Sequence, residues 1–286
     1  MRFHAPIRPE LRNWILETTR AGHNVADLLR LMHETGYSPQ ESRRILAHVL
    51  KMPVSAIDAR ARPQQHGKSV RIRLPDGPHI VADKHPLRVM LSLEAPPLRV
   101  FDELLTTDEC EALIELAKPR LQRARTVNVD GGQQIDPNRT SNGMFFALGE
   151  EPLIRRIEAR IAALLGIPVD HGEGLQVLHY LPGQQYEPHQ DWFDPHQPGY
   201  AAITATGGQR IGSLVMYLNT PAAGGGTAFP EIGLTVTAQR GAAVCFTYEG
   251  GDAASLHAGL PVIKGEKWIA TKWLRERPYR EKAGRD

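Results

Sequence analysis

The stretch Tyr180-Leu-Pro-Gly183-Gln-Gln-Tyr186-Glu-Pro-His189-Gln-Asp191 places an imidazole and a carboxylate two residues apart. Apolar residues flank it, Leu175 and Val177 before and Trp192 and Phe193 after, so the run reads as extended chain. Along a strand, residues i and i+2 project from one face, which lets His189 and Asp191 approach a single metal ion together. Two protein ligands make a weak site, and a third has to come from elsewhere. The best candidate is His257 in Ser255-Leu-His257-Ala-Gly259-Leu-Pro261-Val262-Ile-Lys-Gly265-Glu-Lys267-Trp268. Two imidazoles and one carboxylate on one face, with the remaining positions open, suit non-haem Fe(II) oxygen chemistry. Ten residues after His257, Lys267 offers an ammonium that can hold the far carboxylate of a dicarboxylic co-substrate whose other end chelates the iron.

Taken singly, His-x-Asp is a common surface pair, His257 a solvated loop histidine and Lys267 an exposed lysine. The joint pattern separates them from those readings. Tyr180-x-x-Gly183-x-x-Tyr186-x-x-His189-x-Asp191, Gly207-Gly-Gln-Arg210, Gly224-Gly-Gly-Thr227-Ala-Phe229-Pro230 and Leu256-His257-Ala-Gly259-x-Pro261-Val262-x-x-Gly265-x-Lys267-Trp268 follow one another in order. Together they resemble the signature blocks of the prolyl 4-hydroxylase catalytic domain, an Fe(II)- and 2-oxoglutarate-dependent oxygenase family. The segment from Phe101 to Cys110 and Arg139-Thr-Ser141 resemble its opening segments. The resemblance covers roughly residues 96 to 277 and leaves out the first ninety or so.

That resemblance implies an α+β fold whose core is a double-stranded β-helix, or jelly roll. It implies that His189, Asp191 and His257 ligate Fe(II), that 2-oxoglutarate and O2 are co-substrates, and that ascorbate serves as reductant. Lys267 would receive the 5-carboxylate of 2-oxoglutarate, with Tyr180, Thr227 and Tyr217 helping to hold it. The implied reaction hydroxylates C4 of a prolyl residue in a peptide or protein and releases succinate and CO2. Arg139, Ser141, Glu173, Tyr186, Arg210 and Trp273 match positions associated with substrate. An aromatic floor with a few polar anchors is what a pyrrolidine ring flanked by peptide groups needs. Each of these residues also has a plain alternative: ion pairing for Arg139, Glu173 and Arg210, and packing for Tyr186, Trp273, Tyr180 and Thr227. Two positions depart from the family pattern, Gly226 where glutamate is common and Trp192 where tyrosine or phenylalanine is usual. Neither removes a ligand.

Other functions fit part of the pattern. One keeps the cofactors and changes the target to a free amino acid or other small molecule. Another is a non-catalytic, metal-containing binding or sensing protein, against which Asp191 and Lys267 argue, since a binding shell needs no co-substrate anchor. Two His and a carboxylate also suit catalytic zinc, but no His-Glu-x-x-His motif is present.

The 286 residues suffice for one large or two modest domains, and a formal charge of +2 gives no reason to expect nucleic acid or an anionic membrane as partner. Cys110 and Cys245, far apart in apolar patterns, read as buried thiols. No signal-like apolar run opens the chain and none later is long enough to span a bilayer, so a soluble cytoplasmic protein is expected.

Residues 8 to 52 read as three short helices: Leu11, Trp14 and Ile15 on one, Val25, Leu28, Leu29 and Met32 on a second capped by Asn24, and Ile45, Leu46 and Val49 on a third opened by Ser38-Pro39-Gln-Glu41. They suggest a helical module over residues 1–60 that packs on the catalytic domain or recruits a protein partner. A helix-turn-helix reader is disfavoured because no basic stripe accompanies them. Residues 61–95 read as a hairpin, Val70 to Leu74 against Ile80-Val81, followed by a connector. The oxygenase-like domain then spans 96–286. Helices are expected from the Thr106–Glu109 capping box and over 151–165, with strands at 98–100, 175–180, 211–219, 233–238, 242–247 and 268–274. A turn is expected at Asp130-Gly-Gly132, a mobile polar segment over 133–139 and a lid over 194–209.

Overall fold

The computed structural model describes residues 7–20, 25–61, 70–123, 125–127, 133–135, 140–197, 199–248 and 253–279. Asn24, the Asp130-Gly-Gly132 turn and Arg139 lie outside these residues. The chain divides into two compact units, one built on the residues up to 68 together with 195–205, the other on most of the remainder.

The N-terminal part of the first unit carries four helices among the described residues, Pro9–Arg20, Val25–Glu34, Pro39–Val49 and Val54–Ala61. Ile15, Leu28, Met32, Leu46 and Ile57 form its core. Ser38 caps the third helix by accepting a bond from the Glu41 amide at 3.2 Å, with Pro39 in the first turn where no amide is needed. The fourth helix was not anticipated. It has eight residues, of whose described side chains Ile57 is the one fully buried, and too few apolar positions to declare a period. Arg43 reaches back to Asp58 at 2.8 Å and ties it to the third.

The second unit is a sandwich of two antiparallel sheets braced by helices. The larger sheet runs, edge to edge, His79–Ala82, His85–Glu94, Pro97–Asp102, Ala243–Thr247, Arg210–Tyr217, Lys267–Arg275, Leu175–Tyr180, Asn142–Phe146 and Gln122–Arg123. The smaller one orders Leu234–Val236, Thr227–Phe229, His257–Gly259 and Tyr186–His189. This is the jelly roll. Strand Lys267–Arg275 is buried along its whole length because both its faces are covered. Trp268, Ala270 and Leu274 join the core beneath helices Thr107–Ala117 and Pro152–Leu165, and Lys272 pairs there with Glu158 at 2.6 Å. Lys267, Ile269, Thr271 and Trp273 take the opposite face and line the interior between the sheets. The Thr106–Glu109 capping box closes as expected, and Gly166, left-handed at φ 63°, stops the second bracing helix.

Three elements differ from the reading of the sequence. The hairpin is His79–Ala82 with His85–Glu94, inside the large sheet; residues 70–76 carry no strand, and Val70, Ile72 and Leu74 pack on the core without a ladder partner. Gln133–Ile135 pairs with Arg125–Val127, so that part of the segment expected to be mobile is ordered. The 194–209 loop contains a short helix, Tyr200–Thr204. No helix among the described residues is long and apolar enough to cross a membrane.

Candidate active site

The opening stretch changes sheets: Leu175–Tyr180 belongs to the large sheet and Tyr186–His189 to the small one, with a turn at 181–185 between them. Tyr180 therefore pairs with Lys267, while His189 pairs directly with His257. The strand ends at His189, and Asp191 follows in a bend rather than on the same strand face. The carboxylate still converges on the imidazoles. One ligating atom from each of His189, Asp191 and His257 lies within 4.8 Å of the others. His189 Nε2 is 3.8 Å from Asp191 Oδ1, and His257 Nε2 is 3.5 Å from Asp191 Oδ2.

The two rings are pre-set for a metal. His189 Nδ1 lies 2.8 Å from the Glu187 carbonyl and His257 Nδ1 3.1 Å from the Ser255 carbonyl. A ring that donates its Nδ1 proton to a carbonyl leaves the Nε2 lone pair free, and here both Nε2 atoms face Asp191. Tyr186 stacks on His189 with centroids 3.5 Å apart, and Phe246 meets His257 edge-on at 4.6 Å. Burial would raise the Asp191 pKa, but His257, His189, Arg210 and the Ser213 hydroxyl outweigh it and hold the carboxyl well below its usual range. A carboxylate with two imidazole nitrogens is a donor set that fits Fe(II). These are the only such metal-ligating residues grouped together among the described ones.

Lys267 opens on the same cavity and is 2% exposed. It forms no ion pair or hydrogen bond among the described residues; its ammonium lies 5.4 Å from the Tyr180 ring centroid and 6.0 Å from that of Tyr217. Burial lowers its pKa to about 8. Tyr217 donates its hydroxyl proton to Thr227 Oγ1 at 2.8 Å, which leaves the Thr227 proton for an acceptor in the cavity. The backbone comes close here: a Cβ at Gly224, φ 75°, would sit 2.4 Å from the Pro261 carbonyl oxygen. At Gly226, where the family commonly has glutamate, a Cβ would meet Thr235 Cγ2 at 2.9 Å, so this chain has filled that side-chain space from the neighbouring strand.

Of the residues matched to substrate positions, Tyr186 and Trp273 line the cavity. Trp273 Nε1 and Ser141 Oγ are buried without a hydrogen-bond partner among the described residues. Arg210 and Glu173 instead hold each other, Nε to Oε1 at 2.6 Å and a second guanidinium nitrogen to Oε2 at 2.8 Å. The guanidinium is stacked between Trp273 at 4.1 Å and Phe193 at 4.8 Å, and its remaining nitrogen donates to the Asp191 carbonyl at 3.3 Å. The Glu173 pKa would rise by burial, yet Arg210 and Arg275 hold it down. Ser213, Tyr248 and Arg275 also belong to this layer, although the sequence did not single them out. A lone hydroxyl in an apolar strand gives no signal until the strand's register is known.

The sequence profile of the 2OG-Fe(II) oxygenase superfamily matches residues 175–275. "Probable prolyl 4-hydroxylase 10" of Arabidopsis thaliana is 42% identical over 210 residues, covering 65% of this chain and 71% of that protein. "Prolyl 4-hydroxylase 5" of the same plant is 40% identical over 204 residues, covering 63% and 68%. Among solved structures, a viral collagen prolyl hydroxylase from Paramecium Bursaria Chlorella virus-1, as its 2OG complex, aligns with a TM-score of 0.50 at 28% identity, covering 62% of this chain and 95% of that one. With the same fold, the convergent ligand set and this degree of likeness, the chain belongs to the prolyl 4-hydroxylase family and is a 2-oxoglutarate-dependent dioxygenase that uses Fe(II) and O2.

Proposed function

We propose that this enzyme hydroxylates C4 of a prolyl residue in a peptide or protein, with His189, Asp191 and His257 as the iron ligands and Lys267 as the anchor for 2-oxoglutarate. The observation that carries the reading is the buried Lys267 ammonium, without an ion-pair partner among the described residues, in the cavity where the three ligands meet. A buried cation without a partner is costly, and an incoming carboxylate supplies the missing charge. Iron, when bound, supplies the oxidative decarboxylation of 2-oxoglutarate that drives hydroxylation of an unactivated C–H bond.

The protein's own groups do the rest. Lys267 neutralises the far carboxylate, and Thr227, oriented by Tyr217, donates to it, with Tyr180 beside them. Asp191 is held in its ionised form, the form in which a carboxylate binds a metal. Tyr186 and Trp273 offer aromatic surface for a pyrrolidine ring, and the Trp273 N–H and Ser141 hydroxyl are two buried donors without an acceptor among the described residues. Arg210 and Glu173 support Asp191 and Trp273. Arg139 is retained as a substrate contact on the strength of the resemblance alone.

The N-terminal helices have a core of their own, which supports a separate module that is the candidate surface for a protein partner. Membership of the 79–94 hairpin in the large sheet supports starting the oxygenase domain near residue 69 rather than 96. Free, buried Cys110 and Cys245 support a reducing, cytoplasmic setting.

The test is a coupled assay on Pro-containing peptides. Succinate and hydroxyproline should form in equal amounts, only with Fe(II) and 2-oxoglutarate, and not in His189→Ala. Turnover that survives this substitution would sink the assignment.

A further inference from the structure

Asp191 is held at two points besides any metal. Its main-chain carbonyl accepts from Arg210, and its side-chain Oδ2 accepts from Ser213 Oγ at 2.5 Å. Ser213 lies in the middle of strand Arg210–Tyr217, fully buried, with Trp273 and Phe246 as its cross-strand partners. A serine hydroxyl has one proton to give. The Tyr248 hydroxyl lies 3.4 Å away on the other side. Because the one serine proton goes to the Asp191 carboxylate at 2.5 Å, the Tyr248 hydroxyl is the donor in the second contact. Donors in series strengthen one another.

The two carboxylate oxygens are therefore unequal. Oδ2, which lies 3.5 Å from His257 Nε2, already carries the short hydrogen bond, whereas Oδ1, 3.8 Å from His189 Nε2, carries no such bond from Ser213. We propose that Ser213 is a positioning residue that restricts Asp191 to one-oxygen ligation, withholding Oδ2 and presenting Oδ1 to the metal. A carboxylate that bound through both oxygens would occupy a position that a chelating co-substrate and O2 need. Ser213 thus keeps the site open without touching metal or substrate. The inference rests on the ligand assignment above.

The experiment titrates metal-free protein with Co(II), a spectroscopic substitute for Fe(II), following visible absorption and the heat of binding. Wild type is compared with Ser213→Ala, Ser213→Thr and Tyr248→Phe, and each variant's melting temperature is measured without metal. Ser213→Ala should lose roughly 10- to 100-fold in Co(II) affinity, because Asp191 loses the bond that orients it and this outweighs the second oxygen that becomes free to bind. Its absorption envelope should change as the coordination number changes. Ser213→Thr, which keeps the hydroxyl, should restore both, and Tyr248→Phe should show a smaller loss. A Ser213→Ala protein with wild-type affinity and spectrum would overturn the proposal, whether or not its melting temperature falls. Failure of the wild type to take up Co(II) would overturn the ligand assignment as well, so the two failures are distinguishable.

Discussion

Lys267 shows how a residue's chemistry follows from its address. A lysine on a strand with one apolar face and one cavity face has nowhere to send its ammonium except into the cavity, and burial lowers its pKa to about 8. Only the protonated form attracts a carboxylate. Below about pH 8 the free enzyme carries that charge, so co-substrate affinity should be flat there; above it, affinity should fall by up to about tenfold per pH unit as the proton is lost. Isothermal titration of 2-oxoglutarate across this range checks the sign, and Lys267→Arg, which stays charged, should flatten the curve. Affinity that rose with pH in the native protein would place the anchor elsewhere.

Among the elements, the layer beside the ligands forms a braced stack. Trp273, Arg210 and Phe193 stack, Arg275 follows on Phe193 at 5.1 Å, and Glu173 pairs with both arginines, 3.5 Å from Arg275 Nε. Gln209 closes the neck of the 194–208 loop, accepting from the Phe193 amide at 2.8 Å and donating to its carbonyl at 2.6 Å. Glu173→Gln removes the one carboxylate between two buried guanidinium groups, and breaking a buried pair from one side costs about 3–5 kcal/mol. Urea unfolding should register that loss with the slope unchanged. A variant of unchanged stability with weakened peptide binding would instead put Glu173 on the substrate. Strands Leu175–Tyr180, Arg210–Tyr217, Ala243–Thr247 and Lys267–Arg275 were legible because each is an apolar run bounded by Gly or Pro. Short pieces such as Thr227–Phe229 and His257–Gly259 are three residues long and owe their pairing to partners remote in sequence, which no local period reveals. The metal triad was legible through spacing and motif. Ion pairing was an expected alternative for Glu173 and Arg210, but that they pair with each other, and that Ser213 bonds Asp191, was not legible, since both depend on which strands lie side by side.

For the molecule as a whole, the site exists because two sheets face each other. The smaller sheet brings His189 and His257 opposite one another, and the larger brings Lys267, Tyr217 and Ser213 across the interior. Neither sheet alone holds both the proposed iron ligands and the proposed co-substrate anchor. The bound pair of iron and 2-oxoglutarate therefore reports on the assembled fold. Anaerobic titration of the metal-free protein with Fe(II) and 2-oxoglutarate, followed by the visible charge-transfer absorption of the chelate, measures that pair directly. The wild type should develop the band at one Fe(II) per chain, His257→Ala should develop none, and Lys267→Ala should require far more 2-oxoglutarate to reach it. No band in the wild type, or a band of equal strength in His257→Ala, would contradict the central claim that these side chains form one iron and 2-oxoglutarate site.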